Sequence, residues 1–303
     1  MRKSPIRVGL TCGALALVAA LLSSCSSSSA VVLPTVSGAY GAKAGPVVHF
    51  SSSGPPSSLR IVVLHTGHGP LVKQGQLLVA NYLGQLWKGK VFDSSFSRHL
   101  ASAFPIGVGR VIPGWDKALV GAHAGSRLLL VVPPADGYGA RGQPSAGIPG
   151  NATLVFVVDI KSSYSSSSSS LHTNQTLHAS ASGAAVSWPP SGPPTVHVSK
   201  AYATSKGPEV TVLARGSGRR VAPGLVVLQY VVVDTKMKKV VESTWHTGYP
   251  DGENAGIKSA PSPLDKLVGL PIGTLVLLRL PASSSGGPYV LALEIVAQPS
   301  LLK

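Results

Sequence analysis

A six-residue run, Val111-Ile112-Pro113-Gly114-Trp115-Asp116, constrains the fold of this chain more than any other feature. Proline suits the first position of a helix and glycine the position just past its end, so Pro113 and Gly121 predict a helix of about two turns. A helix that short is marginal in water by itself. Because strand-like apolar segments flank it, we expect a sheet to cover this helix. Those segments are residues 76–84, 126–132 and 152–160.

The composition favours strands and turns over long helices. The chain has 303 residues, including 34 Gly and 25 Pro, and only 12% are charged. That length allows two ordinary domains. The 26 Lys and Arg against 11 Asp and Glu give a formal net charge of +15, which suits an anionic surface. Because no zinc spacing or basic helix accompanies this charge, we predict neither nucleic-acid binding nor a metal site.

The N-terminal stretch that ends at Cys25 has the pattern of an export signal. Arg2, Lys3 and Arg7 precede an apolar run over positions 8–22. That run is shorter than the roughly 20 residues that span a bilayer. The string Leu22-Ser23-Ser24-Cys25 resembles a bacterial lipobox, in which the cysteine carries lipid. We predict a lipoprotein signal peptide over 1–24, lipidation at Cys25 and a place on the extracytoplasmic side of the cell membrane. An ordinary signal peptide is the alternative.

Composition divides the rest of the chain into four parts. Residues 25–54 are rich in Ser, Gly and Ala, which predicts a tether with a first strand near 47–50. Residues 55–161 hold the helix and its strands and form the first domain. Residues 162–194 are rich in Ser and Pro, which predicts a linker. Residues 195–303 form a second domain.

The second domain repeats the first at a near-constant offset. Tyr82 recurs as Tyr230, and Val91-Phe92-Asp93-Ser94 recurs as Val240-Val241-Glu242-Ser243. Separated matches at nearly one offset predict two tandem copies of one fold. The second copy has Pro263 at the predicted position of Trp115 and lacks the tyrosine-bearing loop, so we predict that it is inactive.

Ordered motifs run through residues 75–161 of the first domain. They are Tyr82, Val91-Phe92-Asp93-Ser94-Ser95, Gly109-Arg110-Val111-Ile112-Pro113-Gly114-Trp115-Asp116, Gly125-Ser126-Arg127, Tyr138-Gly139 and Asn151-Ala152-Thr153-Leu154-Val155-Phe156. In this order they resemble the FKBP family of peptidyl-prolyl cis-trans isomerases. The resemblance implies an α+β fold in which an antiparallel β-sheet wraps a short α-helix. It also implies non-covalent isomerisation of X-Pro bonds in an apolar pocket, without a cofactor.

The resemblance assigns roles to individual residues. Trp115 matches the pocket floor, and Ile112 the residue whose N–H meets a ligand carbonyl. Tyr138 matches a loop tyrosine that hydrogen-bonds the peptide, Asp93 a carboxylate at the rim, and Arg98 its partner. The implied catalytic set is Tyr82, Asp93, Trp115 and Tyr138. The other residues implied to bind substrate are Phe92, Phe104, Val111, Ile112, Ile148, Phe156 and Arg98, with Ile148 in a flap over the site.

Two positions depart from the family pattern. Ser102 stands where the family often has a second aromatic residue, and Gly147 precedes Ile148 where a larger apolar residue is common. Both changes thin the pocket wall, which predicts weaker activity or a different preference for the residue before proline.

The function implied is isomerisation during the folding of exported proteins. The implied partners are proline-containing unfolded or nascent exported polypeptides, a macrolide ligand of the immunosuppressant type, and the membrane through the lipid anchor. The alternative function is a non-catalytic binding module or chaperone at the cell surface. An assay of isomerisation discriminates the two, because only the first accelerates exchange.

Overall fold

The computed structural model describes residues 32–169, 175–199, 202, 206–283 and 286–299. The predicted signal peptide and Cys25 therefore lie outside the described residues. Within those ranges, no helix is both long enough and apolar enough to cross a membrane.

Two short strands precede the first domain. They are β1 (Thr35–Ser37) and β2 (Val47–His49), and they pair antiparallel. Val48 is buried against the outer face of the first sheet, beside Leu129 and Val157. The predicted tether is therefore structured in part, because this strand pair covers apolar side chains that the sheet would otherwise expose.

A buried ion pair fastens the segment between these strands to the first domain. Arg127 contacts Asp159 through two nitrogen–oxygen pairs of 2.5 and 2.8 Å. A further nitrogen of Arg127 donates to the carbonyl of Gly38, and the N–H of Gly41 donates to Asp159 at 3.3 Å. The buried charges are thus paired with each other and bonded to the backbone that covers them, as buried ions must be.

The first sheet has six antiparallel strands. They are β3 (Arg60–His65), β4 (Leu77–Leu86), β5 (Val91–Ser94), β6 (Ser102–Pro105), β7 (Arg127–Val132) and β8 (Leu154–Tyr164). Four of them lie in the order β3-β7-β8-β4, and β4 then pairs with both β5 and β6. Strand β4 is buried along most of its length, which places the core at the centre of this sheet.

The predicted short helix is α1 (Pro113–Leu119), with proline at its start. Gly121 follows with a φ of 86°, in the left-handed region that glycine adopts without strain. Gly114 lies directly on β7, because a Cβ built there would be 2.7 Å from the side chain of Val132. The predicted architecture, an antiparallel sheet on a short helix, is therefore confirmed for the first domain.

The stretch between the domains is only partly the predicted linker. It contains three antiparallel strands, β9 (Leu177–Ala181), β10 (Ala184–Trp188) and β11 (Thr195–Val198). Val186 and Trp188 are buried against the outer face of the second sheet. The prediction of a linker over 162–194 was therefore wrong for 177–188, because alternate apolar residues of this polar stretch, among them Trp188, pack on the second domain.

The second sheet repeats the strand order of the first. Its strands are β12 (Glu209–Ala214), β13 (Gly224–Asp234), β14 (Lys239–Ser243), β15 (Asp251–Ala255), β16 (Leu275–Leu280) and β17 (Tyr289–Ala297). The order is β12-β16-β17-β13, and β13 pairs with both β14 and β15. A helical turn, α2 (Thr244–Thr247), follows β14, and a 3₁₀ segment (Pro263–Leu267) stands where α1 stands in the first domain.

The two sheets meet through an apolar contact. Leu77 and Val79 of β4 are buried against Leu225 and Val227 of β13. Strands β6 and β15 approach so closely that a Cβ on Gly252 would lie 2.3 Å from the Cβ of Ala103. This contact packs β4 and β6 of the first domain against β13 and β15 of the second.

Candidate functional site

A cavity of about 230 Å³ lies between α1 and the inner face of the first sheet. Strands β4, β5, β6 and β8 supply one wall, and the segment before α1 and the loop after β7 supply the other. The lining residues are Tyr82, Phe92, Asp93, Phe104, Arg110, Val111, Ile112, Trp115, Tyr138 and Phe156. The cavity is therefore mostly aromatic and apolar, with few polar groups.

The floor of the cavity is the indole of Trp115, which is only 4% exposed. Three rings meet it edge-on, with centroids at 4.9 Å for Phe104, 5.3 Å for Phe156 and 5.5 Å for Tyr82. These separations are those of favourable aromatic pairs. Among the described residues, no acceptor bonds the buried Nε1–H of Trp115. The surrounding protein therefore holds this indole by packing alone.

Gly84 makes room for the aromatic wall. A Cβ on this residue would lie 2.7 Å from the ring of Phe92 and 2.9 Å from the ring of Phe156. The two rings themselves stand edge to face at 5.7 Å. Gly84 lies inside β4, where a side chain would displace both rings.

A polar network closes the rim of the cavity. The hydroxyl of Tyr82 donates to Asp93, and the guanidinium of Arg98 donates to Asp93 and, at 3.2 Å, to the Tyr82 oxygen. Arg98 does not line the cavity but lies behind its two partners. Each member of the network therefore restrains the others, and Asp93 faces the cavity with its charge compensated.

The same network shifts two pKa values. Burial, followed by the hydrogen bond to Asp93, raises the pKa of Tyr82 to about 12. Burial by itself would raise the pKa of Asp93, but the hydrogen bonds from Tyr82 and Arg98 outweigh it, and the pKa falls below its ordinary value. At neutral pH the rim therefore holds a neutral tyrosine and an ionised carboxylate.

Asp116 orders the segment that leads into α1. Its carboxylate accepts hydrogen bonds from the N–H of Gly107 at 2.6 Å and of Gly109 at 2.9 Å. Both glycines have positive φ, 78° and 72°. This turn sets Val111 and Ile112 on the cavity wall, and no described residue accepts a hydrogen bond from the N–H of Ile112. That N–H is available to a ligand carbonyl.

Tyr138 lies on the loop after the 3₁₀ segment Pro134–Asp136 and is 38% exposed. Burial, and next the negative charge of Asp93, raises the pKa of its phenol. No described residue hydrogen-bonds the phenol oxygen, so the hydroxyl can donate to a bound molecule.

Ile148 is not part of the cavity wall. It is 1% exposed, packs in the core of the first domain and pairs with Gln143 through two backbone hydrogen bonds of 2.8 and 3.0 Å. Gly147 before it has a left-handed φ of 69°. This turn directs the side chain of Ile148 into the core cluster that also contains Trp115 and Phe156, and the placement of Ile148 in a flap over the site stays a prediction.

The structure gathers most of the residues implied by the sequence around one cavity. Of that set, Arg98 lies behind the wall and Ile148 lies in the core. Sequence reasoning missed Gly84, Asp116 and Arg110 as contributors. Asp116 had a visible signal, because two glycines and an aspartate at short spacing favour a side-chain-capped turn. Within the described ranges, no cluster of three His, Cys, Asp or Glu could hold a metal ion.

Comparison with known proteins gives one family. Residues 69–161 match the sequence profile of the FKBP-type peptidyl-prolyl cis-trans isomerase family. The chain is 36% identical over 116 residues to the FK506-binding protein of Streptomyces anulatus, covering 38% of this chain and 94% of that protein. It is 42% identical over 106 residues to the chloroplastic peptidyl-prolyl cis-trans isomerase FKBP13 of Arabidopsis thaliana, covering 33% of this chain and 50% of that protein. It is 44% identical over 88 residues to human FKBP2, covering 29% of this chain and 61% of that protein.

Proposed function

Because this chain belongs to the FKBP-type peptidyl-prolyl cis-trans isomerase family, we propose that its first domain isomerises X-Pro bonds in the cavity over Trp115. The observation that carries the proposal is the open cavity itself. Its floor is a buried indole, its walls are ring edges, and its nearest charge is compensated by a partner. Such a site takes a small apolar ring and little else.

The barrier to rotation of an X-Pro bond, about 18–20 kcal/mol, comes from amide resonance. In the twisted transition state that resonance is lost, so the carbonyl is less dipolar than in either planar form. An apolar, water-poor site therefore disfavours the planar forms more than the twisted one. Each 1.36 kcal/mol of this difference raises the rate about tenfold.

Three groups position the peptide in this proposal. Trp115 supports the proline ring from below. The N–H of Ile112, for which no described residue is an acceptor, binds one backbone carbonyl, and the hydroxyl of Tyr138 binds another. Tyr82 and Asp93 hold the wall in place, because the hydroxyl of Tyr82 is already engaged by Asp93.

A protease-coupled assay on the full chain in mild detergent tests this function. Trp115→Leu should lower kcat/KM by at least tenfold, because it removes the floor. Trp87→Leu is the matched control, since Trp87 is in the same domain but packs on Phe50, away from the cavity. If the wild-type chain at micromolar concentration does not accelerate isomerisation of the peptide, the catalytic proposal is wrong and the alternative, a non-catalytic binding module, is favoured.

A macrolide that occupies the family's proline pocket serves as an independent probe of the same cavity. We expect FK506 to compete with the peptide substrate, because an apolar ring of the macrolide would stand over Trp115. A change in tryptophan fluorescence that Trp87→Leu retains and Trp115→Leu loses would report this binding. A macrolide that binds equally well to Trp115→Leu would contradict the site.

The cellular setting is proposed from the N-terminal stretch alone. The basic start, the apolar run over 8–22 and the Leu-Ser-Ser-Cys string support export and lipid attachment at Cys25. The clients are then proline-containing exported polypeptides on the outer side of the membrane. Cys25→Ala should release the chain from the membrane fraction, whereas Cys12→Ala should not. Retention of the Cys25 variant would contradict the anchor.

A further inference from the structure

The second domain contains a cavity of its own, of about 250 Å³. Its floor is formed by buried leucines of β13, β16 and β17, which are Leu228, Leu278 and Leu293. Leu264 of the 3₁₀ segment and the carboxylates of Glu242 and Glu253 form its rim. The cavity is therefore aliphatic inside and acidic at the edge.

The sheet register shows which residues replaced the aromatic wall. In the first sheet Gly84 pairs with Phe156, and in the second Val232 pairs with Leu291. Likewise Leu78 pairs with Phe104 in the first sheet, whereas Val226, the counterpart of Leu78, pairs with Glu253 in the second. The second cavity is the counterpart of the first, with leucine and glutamate in place of two phenylalanines.

The helix position changed as well. Asp265 accepts a hydrogen bond from the N–H of Gly256, as Asp116 does from Gly107. This shared contact aligns Leu264, and not Pro263, with Trp115. The assignment of Pro263 to that position is therefore corrected. Three positions separate Asp116 from Leu119, but only two separate Asp265 from Leu267, so the second copy is one residue shorter here.

Three carboxylates surround Tyr230 and the edge of the second cavity, and among the described residues none of them forms an ion pair. Tyr230 Oη lies 2.8 Å from Glu242 Oε1 and 2.8 Å from Asp251 Oδ2. A hydroxyl has one hydrogen, so it satisfies only one of these two carboxylates at a time. In the first domain Arg98 compensates Asp93, but no ion pair among the described residues involves Glu242, Asp251 or Glu253. Partial burial and the charges of Asp251 and Glu242 raise the pKa of Glu253.

The shape and charge of the cavity indicate the kind of group that it would bind. Leucine walls suit an alkyl stem, and the acidic rim suits a positive head group held near water. The described carboxylates do not cluster as a metal site would require. A lysine or arginine side chain has both features, a stem of methylenes and a terminal cation. Asp251 also accepts a hydrogen bond from the N–H of Gly252 at 2.8 Å, so a cation would add a charged donor to this pair of carboxylates.

A cleft joins this cavity to the site in the first domain. The cleft has a volume of about 310 Å³ and is lined by Pro105 and Arg110 on one side and by Tyr230, Glu242 and Asp251 on the other. Arg110 also lines the first cavity, and Tyr230 and Glu242 also line the second. An extended polypeptide in the first cavity therefore has a continuous surface that leads to the second.

We propose that the second-domain cavity binds a lysine or arginine side chain of the same polypeptide whose proline occupies the cavity over Trp115. This inference rests on the proposed function for the identity of the polypeptide. It gives the second domain a role in selecting clients. A basic residue at a fixed distance from the proline holds the client while the first domain acts on the X-Pro bond.

The test compares two sets of fluorescent proline peptides on the full chain in mild detergent. One set carries lysine, and the other carries norleucine, which keeps the alkyl stem without the charge, at successive positions on both sides of the proline. Anisotropy gives the dissociation constants. At the position that reaches the second cavity, lysine should bind about tenfold more tightly than norleucine. Equal affinities at every position would overturn the proposal.

Variants locate the effect. Glu242→Gln with Glu253→Gln should bring the lysine-to-norleucine ratio close to one. Glu209→Gln is the matched control, because Glu209 lies on β12, pairs with Arg279 and does not line the cavity. Leu264→Trp fills the cavity without changing charge and should also abolish the ratio. If the lysine-to-norleucine ratio is unchanged in both the double glutamine variant and Leu264→Trp, the proposed site is wrong. Two different variants are used so that poor folding of one does not remove the test.

The outcome is separable from that of the isomerase assay. A wild-type chain that shows the lysine preference but no isomerisation would support this site and refute the proposed activity. A chain that isomerises X-Pro bonds but shows no lysine preference would support the proposed activity and refute the second-cavity site. In Trp115→Leu, peptides with lysine but no proline should bind as they bind the wild type.

Discussion

The hydroxyl of Tyr82 donates its one hydrogen to Asp93, so it has no hydrogen left to donate to a ligand. Arg98 completes the set from behind by donating to both. The wall can therefore be apolar toward a ligand while it contains two ionised residues. In the second domain Tyr230 faces two carboxylates, and no cation pairs with them among the described residues.

Asp93→Asn should weaken catalysis moderately. The amide can still accept from Tyr82, but the charge that holds Arg98 is lost. A hydrogen bond to a charged group contributes about 1.5–3 kcal/mol, and exposure at the rim lowers that value. We expect kcat/KM to fall roughly three- to tenfold in the protease-coupled assay. Asp136→Asn, which breaks a surface pair with Lys117, is the control, and equal activity of both variants would refute the role of Asp93.

Gly84→Ala should damage the aromatic wall. The new Cβ would stand 2.7 Å from Phe92 and 2.9 Å from Phe156, so the rings must shift. Overpacking of this kind costs about 1–3 kcal/mol of unfolding free energy. The unfolding temperature and kcat/KM should both fall. Gly54→Ala is the control and should change neither, because no described atom lies within 4 Å of a Cβ built at Gly54. Unchanged kcat/KM in Gly84→Ala would show that this wall is not used.

Asp116→Ala should both raise KM and lower stability. It frees the N–H groups of Gly107 and Gly109, and the segment that carries Ile112 loses its anchor. We expect KM to rise about tenfold with a destabilisation of about 1–3 kcal/mol. The matched change is Asp265→Ala, which removes the corresponding bond to Gly256 in the second domain. If both variants raise KM for a short proline peptide equally, the positioning role is wrong.

The phenol of Tyr82 should lose its proton at a higher pH than an ordinary tyrosine does. The folded pKa of about 12 lies above the ordinary value of 10.0, so the folded state holds this proton more tightly than the unfolded state. The contribution to stability is fully present below pH 10.0 and is lost as pH rises toward about 12. Tyrosinate absorbance should show this late step in the wild type. A difference spectrum against Tyr82→Phe that titrates near the ordinary pKa would contradict it.

Gly252→Ala should separate the two sheets, because its Cβ would lie 2.3 Å from the Cβ of Ala103. We expect a loss of about 1–3 kcal/mol in unfolding free energy and a weaker lysine preference. Adding Ala103→Gly should restore most of both, since it removes the colliding atom from the other side. Failure of the double variant to recover would mean that the contact is not what aligns the domains.

The local pattern of the chain determined a large part of this protein. Pro113 and Gly121 delimited the helix, because proline fixes φ and only glycine enters the left-handed region without strain. Apolar runs located three strands of the first domain, and the recurring motifs indicated a second copy of the fold. The order of the motifs around Trp115 indicated the family and most of the cavity wall. These features depend on residues that are close together in the chain.

Tertiary structure alone decided the rest. Gly84 is required inside β4 because the rings of Phe92 and Phe156, which two other strands contribute, leave no room for a side chain there. Leu264 became the counterpart of Trp115 only through the hydrogen bond between Asp265 and Gly256, because the offset between the two copies is not constant along the chain. The position of Arg110 in one cleft with Glu242 and Asp251 likewise could not be predicted from the sequence. Such contacts depend on strand register and domain packing, which join segments far apart in sequence.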